Sequence, residues 1–410
     1  MPPKKSKICM DRPFKKKETV IFILRSCGQL AGTERVILNW CRFIDDSKIN
    51  IIVCAQKGIL WEIFREEVPN VHLIDFCFDN DFTWIRKFIT SLRFFENYSA
   101  AKVIYSFNGF EEFSFWDMLA AWIITKGNLY ISHHLLPTKI TKIKSRKWFG
   151  LFYGIGFWRI TKFINIYLVH LLSRRILAVT IEVKNYLSSY LKIRKDKIYV
   201  GCRGVDTRIF FFDTEAKRRF KSQLGYSEDD KVLISVSRIS NKKRMDRLLG
   251  AFLLLSKNFS RIYLQIIGDG ELKSIYENRV KKNRILLEKV KFLGFRRDVD
   301  QFIKGADFLL LASDDEGQSN VIKEAMACGT IPIVTDSPGS RSISNKLFVS
   351  KKDVFSFYRE IDSAICLEEK ELSEIRAELA REAIEKFPLH KCVIDETKVF
   401  GLPIKNLGKC

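Results

Sequence analysis

Phe308-Leu309-Leu310-Leu311-Ala312-Ser313-Asp314-Asp315-Glu316-Gly317-Gln318-Ser319-Asn320-Val321-Ile322-Lys323-Glu324-Ala325-Met326-Ala327-Cys328-Gly329 reads as strand, turn and helix in immediate succession. The opening run is apolar without alternation, the pattern of a parallel strand buried on both faces. A turn follows at Asp314. Ser319 or Asn320 can cap the next helix, leaving first-turn amides free to meet a phosphate or sugar oxygen. Glu316 falls on the loop before that helix end and Glu324 in its first turns. A carboxylate accepts from two vicinal hydroxyls at once, so the pair suits the diols of a nucleotide-linked sugar. Taken alone, the same spacing also fits a solvated loop charge and a helix-surface charge.

The rest of the chain repeats the strand-and-helix pattern in two series. Thr19 to Leu24, Asn50 to Ala55, Lys102 to Ser106, Leu129 to Ser132, Ile176 to Thr180 and Ile198 to Gly201 read as the strands of the first. Val232 to Val236, Ile262 to Ile267, Val290 to Leu293, Phe308 to Ala312 and Ile331 to Thr335 read as those of the second. Helix-length stretches such as Met245 to Ser256 and Glu271 to Arg284 lie between them. Alternation of this kind predicts parallel sheets covered by helices, and two series predict two Rossmann-like α/β domains joined near Arg203 to Ser227. The ligand is then expected in the cleft between the carboxyl edges of the two sheets.

Composition narrows the function classes. At 410 residues and 47% hydrophobic content the chain is long and apolar enough for two large cores, which excludes disorder over most of it. Its ten cysteines, Cys27, Cys54, Cys202 and Cys328 among them, are scattered singly without metal-ligand spacing, as expected of thiols in a reducing compartment. Met1 to Lys17 is basic and polar with no apolar stretch of signal-sequence type, so a cytoplasmic location is expected. The net charge of +22 calls for an acidic partner, and fourteen Lys or Arg lie between Lys139 and Val200 against Glu182 and Asp196. Within that segment, Trp148 to Leu172 is rich in aromatic and aliphatic residues but interrupted by Arg159, Lys162 and His170. It reads as an interfacial helix on an anionic membrane surface, flanked by Lys142, Lys144, Arg146 and Lys147 and by Arg174 and Arg175; a core helix with solvated basic flanks is the alternative. The chain carries no recognisable nucleic-acid-reading signature beside its basic charge, so no nucleic-acid partner is expected.

Loops at the expected strand ends carry further chemistry. Ser26 to Arg35 is a small-residue loop entering a helix at about Thr33, where Gly28 and Gly32 can let backbone approach a phosphate. Ser132-His133-His134 sets imidazoles at the cleft edge, better suited to hydrogen bonding than to metal ligation without further ligands at fixed spacing. Val236-Ser237-Arg238 ends a strand, and both Arg238 and Lys243 can reach one anion from the following loop. As isolated residues they are also ordinary surface cations. Asp79-Asn80-Asp81 has the form of a metal-binding D-x-D, but such triplets are common by chance, and before the helix-like run Phe82 to Leu92 Asp81 reads as a cap rather than a metal ligand.

Together these segments resemble the GT-B retaining glycosyltransferases, the large family of bacterial mannosyl- and glucosyltransferases of polysaccharide, lipopolysaccharide and glycolipid assembly. The likeness runs from about Thr19 to Phe387 and is strongest from Val236 to Gly339. Glu316 to Gly329 resembles the family's E-x7-E segment, and Arg238 with Lys243 its diphosphate-binding pair. Gly204-Val205-Asp206 resembles the interdomain N-G-V-D turn. Gly268-Asp269-Gly270, Phe292-Leu293-Gly294 and Ala306-Asp307 resemble further family signatures, and Ala31 to Arg35 the acceptor-side loop. The resemblance implies an α/β GT-B fold: residues 1–17 as a basic tail, 18–205 as an acceptor-side domain with a membrane-facing segment near 139–175, 206–385 as the nucleotide-sugar domain, and 386–410 as a C-terminal segment.

It also implies hexosyl transfer with retention, from a UDP- or GDP-linked donor to a glycan or lipid-linked acceptor, with neither metal nor cofactor, on the cytoplasmic face of a membrane. Glu316, His134, Arg238 and Lys243 are the implied catalytic residues. Gly32, His133, Arg238, Lys243, Gly317, Gln318, Ser319, Asn320 and Glu324 are the implied donor contacts. His134 is the better match to the family's S-x-H and His133 the second. Three departures stand out: Arg203 where an asparagine is usual, Arg244 in place of a glycine, and Ala31 in place of another. A non-catalytic sugar-nucleotide binder on the same fold is the rival reading, and a basic nucleic-acid-binding protein a more remote one.

Overall fold

The computed structural model describes residues 17–24, 32–75, 84–107, 115–134, 155–314, 316 and 318–405, with backbone alone at 84, 155–163 and 338. Thirteen strands in the described residues form two all-parallel sheets. The first contains β1 (Glu18–Leu24), β2 (Ile49–Cys54), β3 (His72–Ile74), β4 (Lys102–Phe107), β5 (Leu129–His133), β6 (Arg175–Ala178) and β7 (Ile198–Val200), in the order β3-β2-β1-β4-β5-β6-β7. The second contains β8 (Lys231–Val236), β9 (Ile262–Ile267), β10 (Val290–Gly294), β11 (Phe308–Leu311), β12 (Ile331–Thr335) and β13 (Phe348–Ser350), in the order β10-β9-β8-β11-β12-β13.

The apolar runs do what their lack of alternation predicts. Along β1, Ile21 and Ile23 face a core with Val103 and Tyr105, while Val20 and Phe22 face another with Ile37 and Trp40. One strand therefore serves two helix layers, and its side chains are buried throughout from Val20 to Leu24. Phe308 to Leu311 play the same part at the centre of the second sheet. Each such side chain contributes about 1.5–3 kcal/mol on burial, and the few polar residues of the central strands, such as Ser235 and Gln265, are buried among them.

The chain crosses between the domains twice, and the crossings pair with each other. Val205 N–H donates to Phe387 O (2.8 Å) and Leu389 N–H to Val205 O (3.1 Å). A Cβ on Gly204 would fall 2.4 Å from Leu389 Cα, so only glycine allows this approach. After the second crossing, the helix Leu389–Val399 packs on the first domain, and Phe400 sets its ring against Trp40 (5.3 Å) and Tyr130 (5.7 Å). The last described residues thus complete the core of the first sheet, although they follow the second in sequence.

The structure differs from the sequence reading at short or divided elements. β3 and β13, three residues each, sit at sheet edges. Glu271 to Arg284 is divided into the helices Lys273–Lys281 and Arg284–Lys289, broken at Asn283, which caps the second by accepting from Leu286 N–H. The helix expected within Trp148 to Leu172 spans Ile155–Leu172, and Lys197 Nζ caps its end at Leu171 O (2.9 Å) and Ser173 O (3.2 Å). Among the described residues no helix is long and apolar enough to cross a membrane.

Candidate active site

Three loops at the carboxyl edge of the second sheet build the site. The first follows β8 and is pinned by backbone bonds from Ser237 N–H to Ile267 O (3.0 Å) and from Ile239 N–H to Asp269 O (2.9 Å). Glycine is required on the facing strand end: a Cβ would lie 2.0 Å from Ser237 O at Gly268 and 2.4 Å from Ile239 O at Gly270. The loop ends in a short turn at Asn241–Lys243 and then Arg244, which holds a left-handed φ of 49° where the family resemblance expects glycine. That conformation costs a side-chain-bearing residue roughly 1–2 kcal/mol. Ion pairs from Arg244 to Asp246 (2.7 Å) and Asp314 (3.2 Å) offset the strain.

The second loop follows β11. Buried Arg247 supports it from beneath, donating to Ala312 O and to Asp314 Oδ1 (2.8 Å), and Asp314 N–H bonds Lys242 O (2.9 Å). The two loops meet where Lys243 Nζ lies 2.5 Å from Glu316 Oε1, an oxygen that also accepts from Ser313 Oγ at 2.7 Å. Lys243 is 25% exposed and Glu316 11%, so their charges act in a partly dehydrated pocket.

The third element is the helix Asn320–Ala327. Ser319 occupies its N-cap, and the hydroxyl makes no capping bond. The Asn320 side-chain oxygen is buried without a partner among the described residues. Glu324 lies about one turn in, with Oε1 accepting from Arg35 Nη1 at 3.1 Å. Arg35 belongs to the helix Gly32–Phe43 of the first domain, so this pair spans the cleft. Gly32 opens that helix with free space where a Cβ would project. At the cleft rim, a second and more exposed bridge joins Arg297 to Glu66 (3.1 Å).

Not every expected residue joins the cluster. Arg238 turns its guanidinium to Glu271 (3.4 Å), with both side chains more than half exposed, while Lys243 of the same loop turns to Glu316. Gln318 Oε1 accepts from Arg203 N–H (2.8 Å) and from Lys323 Nζ (2.9 Å). Adjacent residues at a strand end face opposite ways, and the two histidines separate accordingly. His133 lies in the first domain's core, its ring stacked 4.9 Å from His170 and its Nε2 2.7 Å from His170 Nε2. This is a correction to its place among the donor contacts: a fully surrounded ring in the core does not face the cleft. His134 instead meets Ser106 Oγ (2.6 Å), Ser132 Oγ (3.2 Å) and the Arg203 guanidinium (2.6 Å). Burial, with Arg203 and His133 nearby, holds its pKa well below the usual histidine value. Gly317, Gly28, Asp79 to Asp81 and Lys139 to Lys147 lie outside the described residues. Among the described residues no group of three or more His, Cys, Asp or Glu is arranged to hold a metal.

Sequence reasoning missed the groups that tie the site together. Arg35 was only part of a loop motif, and Lys323, Trp40 and Glu396 carried no signal. Glu396 is buried, accepts from Trp40 Nε1 (2.8 Å) and receives Arg203 Nη1 at both oxygens (2.9 and 3.0 Å). Burial raises its pKa, with Arg203 and Trp40 opposing. Arg203 did carry a signal, because a charged residue stood where the resemblance expects a neutral amide.

Two parallel sheets facing each other across a cleft, with the loops of both at its walls, define the GT-B architecture. Sequence models of two families match successive stretches: "Glycosyltransferase Family 4" over residues 30–209 and "Glycosyl transferases group 1" over residues 216–385. Residues 216–385 thus match the group 1 glycosyltransferases, and the stretch before them matches a second glycosyltransferase family. The chain is 31% identical over 173 residues to an alpha-monoglucosyldiacylglycerol synthase of Streptococcus pneumoniae, covering 40% of this chain and 38% of that protein. It is 32% identical over 134 residues to an N-acetylgalactosamine-N,N'-diacetylbacillosaminyl-diphospho-undecaprenol 4-alpha-N-acetylgalactosaminyltransferase of Campylobacter jejuni, covering 33% and 34%. The chain thus spans well under two thirds of the length of these curated relatives. In fold it is similar to Anabaena Alr3699/HepE in complex with UDP and glucose, with a TM-score of 0.71 at 16% identity over 93% of this chain and 98% of that one. It is similar also to WaaG, a glycosyltransferase involved in lipopolysaccharide biosynthesis, with a TM-score of 0.69 at 12% identity over 93% and 99%.

Proposed function

We propose that this protein is a retaining, metal-independent glycosyltransferase that moves a hexose-type sugar from a UDP- or GDP-linked donor to a glycan or lipid-linked acceptor. The observation that carries the reading is the meeting of Lys243, Glu316 and Ser313 at the mouth of the second sheet, with Glu324 facing the first domain through Arg35. A nucleotide-sugar already carries a good leaving group, so the task is to stabilise a departing diphosphate beside an oxocarbenium-like sugar. Lys243, Arg238 and the first-turn amides of Asn320–Ala327 supply positive potential for that anion. Glu316 holds sugar hydroxyls next to the diphosphate, and Glu324 holds the ribose diol. His134 forms part of the first-domain wall at the sugar end, with its ring nitrogens held by Arg203 and Ser106. Retention follows from attack on the face the diphosphate leaves, with a phosphate oxygen taking the acceptor's proton.

In this reading residues 18–205 form the acceptor side and residues 206–385 the donor side. The names of the Streptococcus and Campylobacter relatives point to lipid acceptors, and the HepE complex points to a UDP-linked donor. Docking on the cytoplasmic face of a membrane accords with the exposed stripe Ile164, Leu168 and Leu171 on one side of Ile155–Leu172, beside Arg174 and Arg175.

The test is a panel of UDP- and GDP-sugars offered with lipid-linked and glycan acceptors, with and without a chelator. Acceptor-dependent release of the nucleoside diphosphate that persists in chelator supports the proposal. Loss with chelator and return with manganese overturns the metal-free mechanism. A donor that raises thermal stability yet is never turned over identifies the non-catalytic binder instead.

A further inference from the structure

We propose that Arg203 is a positioning residue: its guanidinium fixes His134 as the neutral tautomer protonated on Nε2, and its backbone ties that imidazole to the loop-and-helix segment carrying the two glutamates. The kinetic part rests on the transferase reading above; the tautomer does not.

The tautomer follows from donor counting. A guanidinium offers only N–H groups, so the 2.6 Å contact between Arg203 Nη2 and His134 Nδ1 has one sense, Arg203 donating to a bare Nδ1. The ring proton therefore sits on Nε2 and is donated to Ser106 Oγ at 2.6 Å, with Ser132 Oγ at 3.2 Å beside it. Taking up a second proton would set N–H against N–H at Nδ1 in a buried site. The charged or titratable groups around the ring are His133 from its own strand end, Arg203 from the first crossing, and Glu396 on Leu389–Val399 behind Arg203. Lys323, on the helix Asn320–Ala327, reaches Arg203 O, and β4 contributes the neutral Ser106. Glu396 neutralises the guanidinium without touching the imidazole. His134 is thereby a fixed hydrogen-bond donor at neutral pH and not a general acid.

What fixes Arg203 connects both lobes. Its side chain is 4% exposed and held by Glu396, with the Trp40 ring 6.0 Å from the guanidinium carbon. Its backbone N–H bonds Gln318 Oε1 (2.8 Å) and its carbonyl accepts from Lys323 Nζ (2.6 Å). Gln318 lies two residues after Glu316, and Lys323 immediately precedes Glu324. A shift of the segment from Glu316 to Glu324 therefore reaches His134 through one residue. Lysine at 203 keeps a charge for Glu396 but lacks the planar fork needed to hold His134 as well.

The experiment is nitrogen-resolved NMR of the histidine rings in the full chain, with His134 assigned by loss of its signal in His134→Gln. In the wild type the expected result is one neutral tautomer with its proton on Nε2, unchanged from pH 8 to about 5.5, below the ordinary histidine value of about 6.5. In Arg203→Lys the ring is expected to mix tautomers and titrate nearer that ordinary value. The kcat is expected to fall about tenfold with donor KM little changed, and to gain an acid limb. A proton on Nδ1 in the wild type overturns the proposal, as does an Arg203→Lys ring that behaves as the wild type does. Should the variant not fold, the wild-type tautomer decides. Should no donor be turned over, the ring measurements still decide, so failure of the transferase reading is told apart from failure of this one.

Discussion

Replacing Lys243 by Met separates what this cation does for the fold from what it does for chemistry. The side chain is 25% exposed and its partner Glu316 11%. Stranding a fully buried partner costs about 3–5 kcal/mol, whereas losing an exposed pair costs about 0–1 kcal/mol. Glu316 keeps the Ser313 hydroxyl at 2.7 Å and some access to water, which sets the expected loss at about 1–2 kcal/mol. For a domain of this size that lowers the thermal midpoint by about 2–8 °C. Removing a preorganised donor from a departing anion costs about 2.7–4 kcal/mol of transition-state stabilisation, so kcat should fall about 10²–10³-fold. The double variant Lys243→Met/Glu316→Gln removes the stranded charge and should regain much of the midpoint while turnover stays low. Calorimetry and initial rates of nucleoside diphosphate release, measured on the same preparations, give both numbers. A kcat within about threefold of wild type, or one restored together with the midpoint in the double variant, would refute the assignment of Lys243 to the leaving group.

Three further outcomes follow from the geometry. Arg35→Ala breaks a cross-cleft pair worth about 0.2–1 kcal/mol, and because Arg35 holds the oxygen a ribose diol needs, donor should bind up to about fivefold more tightly; binding weakened more than tenfold in calorimetric titration would show that Arg35 grips the donor itself. His170 is fully buried and its pKa is pushed down to about 4, chiefly by burial. The unfolded chain binds that proton below about pH 6.5 and the folded chain does not, so the stability it supports is full above pH 6.5 and is lost as pH falls toward 4, by about 3 kcal/mol; denaturant midpoints across that window should slope less in His133→Phe/His170→Leu, and an unchanged slope would exclude the pair as its source. Binding to vesicles containing anionic lipid should weaken with salt and fall sharply in Leu168→Glu, and indifference to lipid charge would remove the membrane from the reading.

The large-scale fold was legible because its signal is periodic. Ile262 to Ile267 and Ile331 to Thr335 run from end to end as their largely apolar pattern reads, with Gln265 and Thr335 buried among the apolar residues. β3 and β13 were not legible: His72-Leu73-Ile74 and Phe348-Val349-Ser350 mix polar with apolar positions over only three residues, whereas the equally short edge strand β7 is Ile198-Tyr199-Val200. Nor was the return of Leu389–Val399 to the first domain, because an amphipathic helix shows which face it buries and not against what. At the site, the residues that contact charge directly stood out by type and spacing, whereas those that hold them did not. Arg247 reads as one more basic residue of a helix until Ala312 O and Asp314 are seen above it. His133 and His134 illustrate the same limit, since one residue of register decides which imidazole meets Arg203 and which stacks on His170.

The placement of these groups relative to the two crossings bears on how the lobes can move. Val205 and Leu389 pair through their backbones at a point where Gly204 admits no side chain, so the crossings form one short hinge instead of two independent linkers. Rotation about such a hinge displaces groups in proportion to their distance from it. Arg203 adjoins the hinge, and its bonds to Glu396, His134 and Gln318 are buried or nearly so. Arg297 and Glu66 lie at the rim, each more than half exposed, where an ion pair is worth about 0–1 kcal/mol and parts readily. Opening the cleft therefore costs little at its outer edge and strains the polar junction least, because that junction sits beside the axis. The Arg35 to Glu324 pair also joins the lobes, and on the proposed function its rupture is the step that would free Glu324 for a nucleotide's ribose.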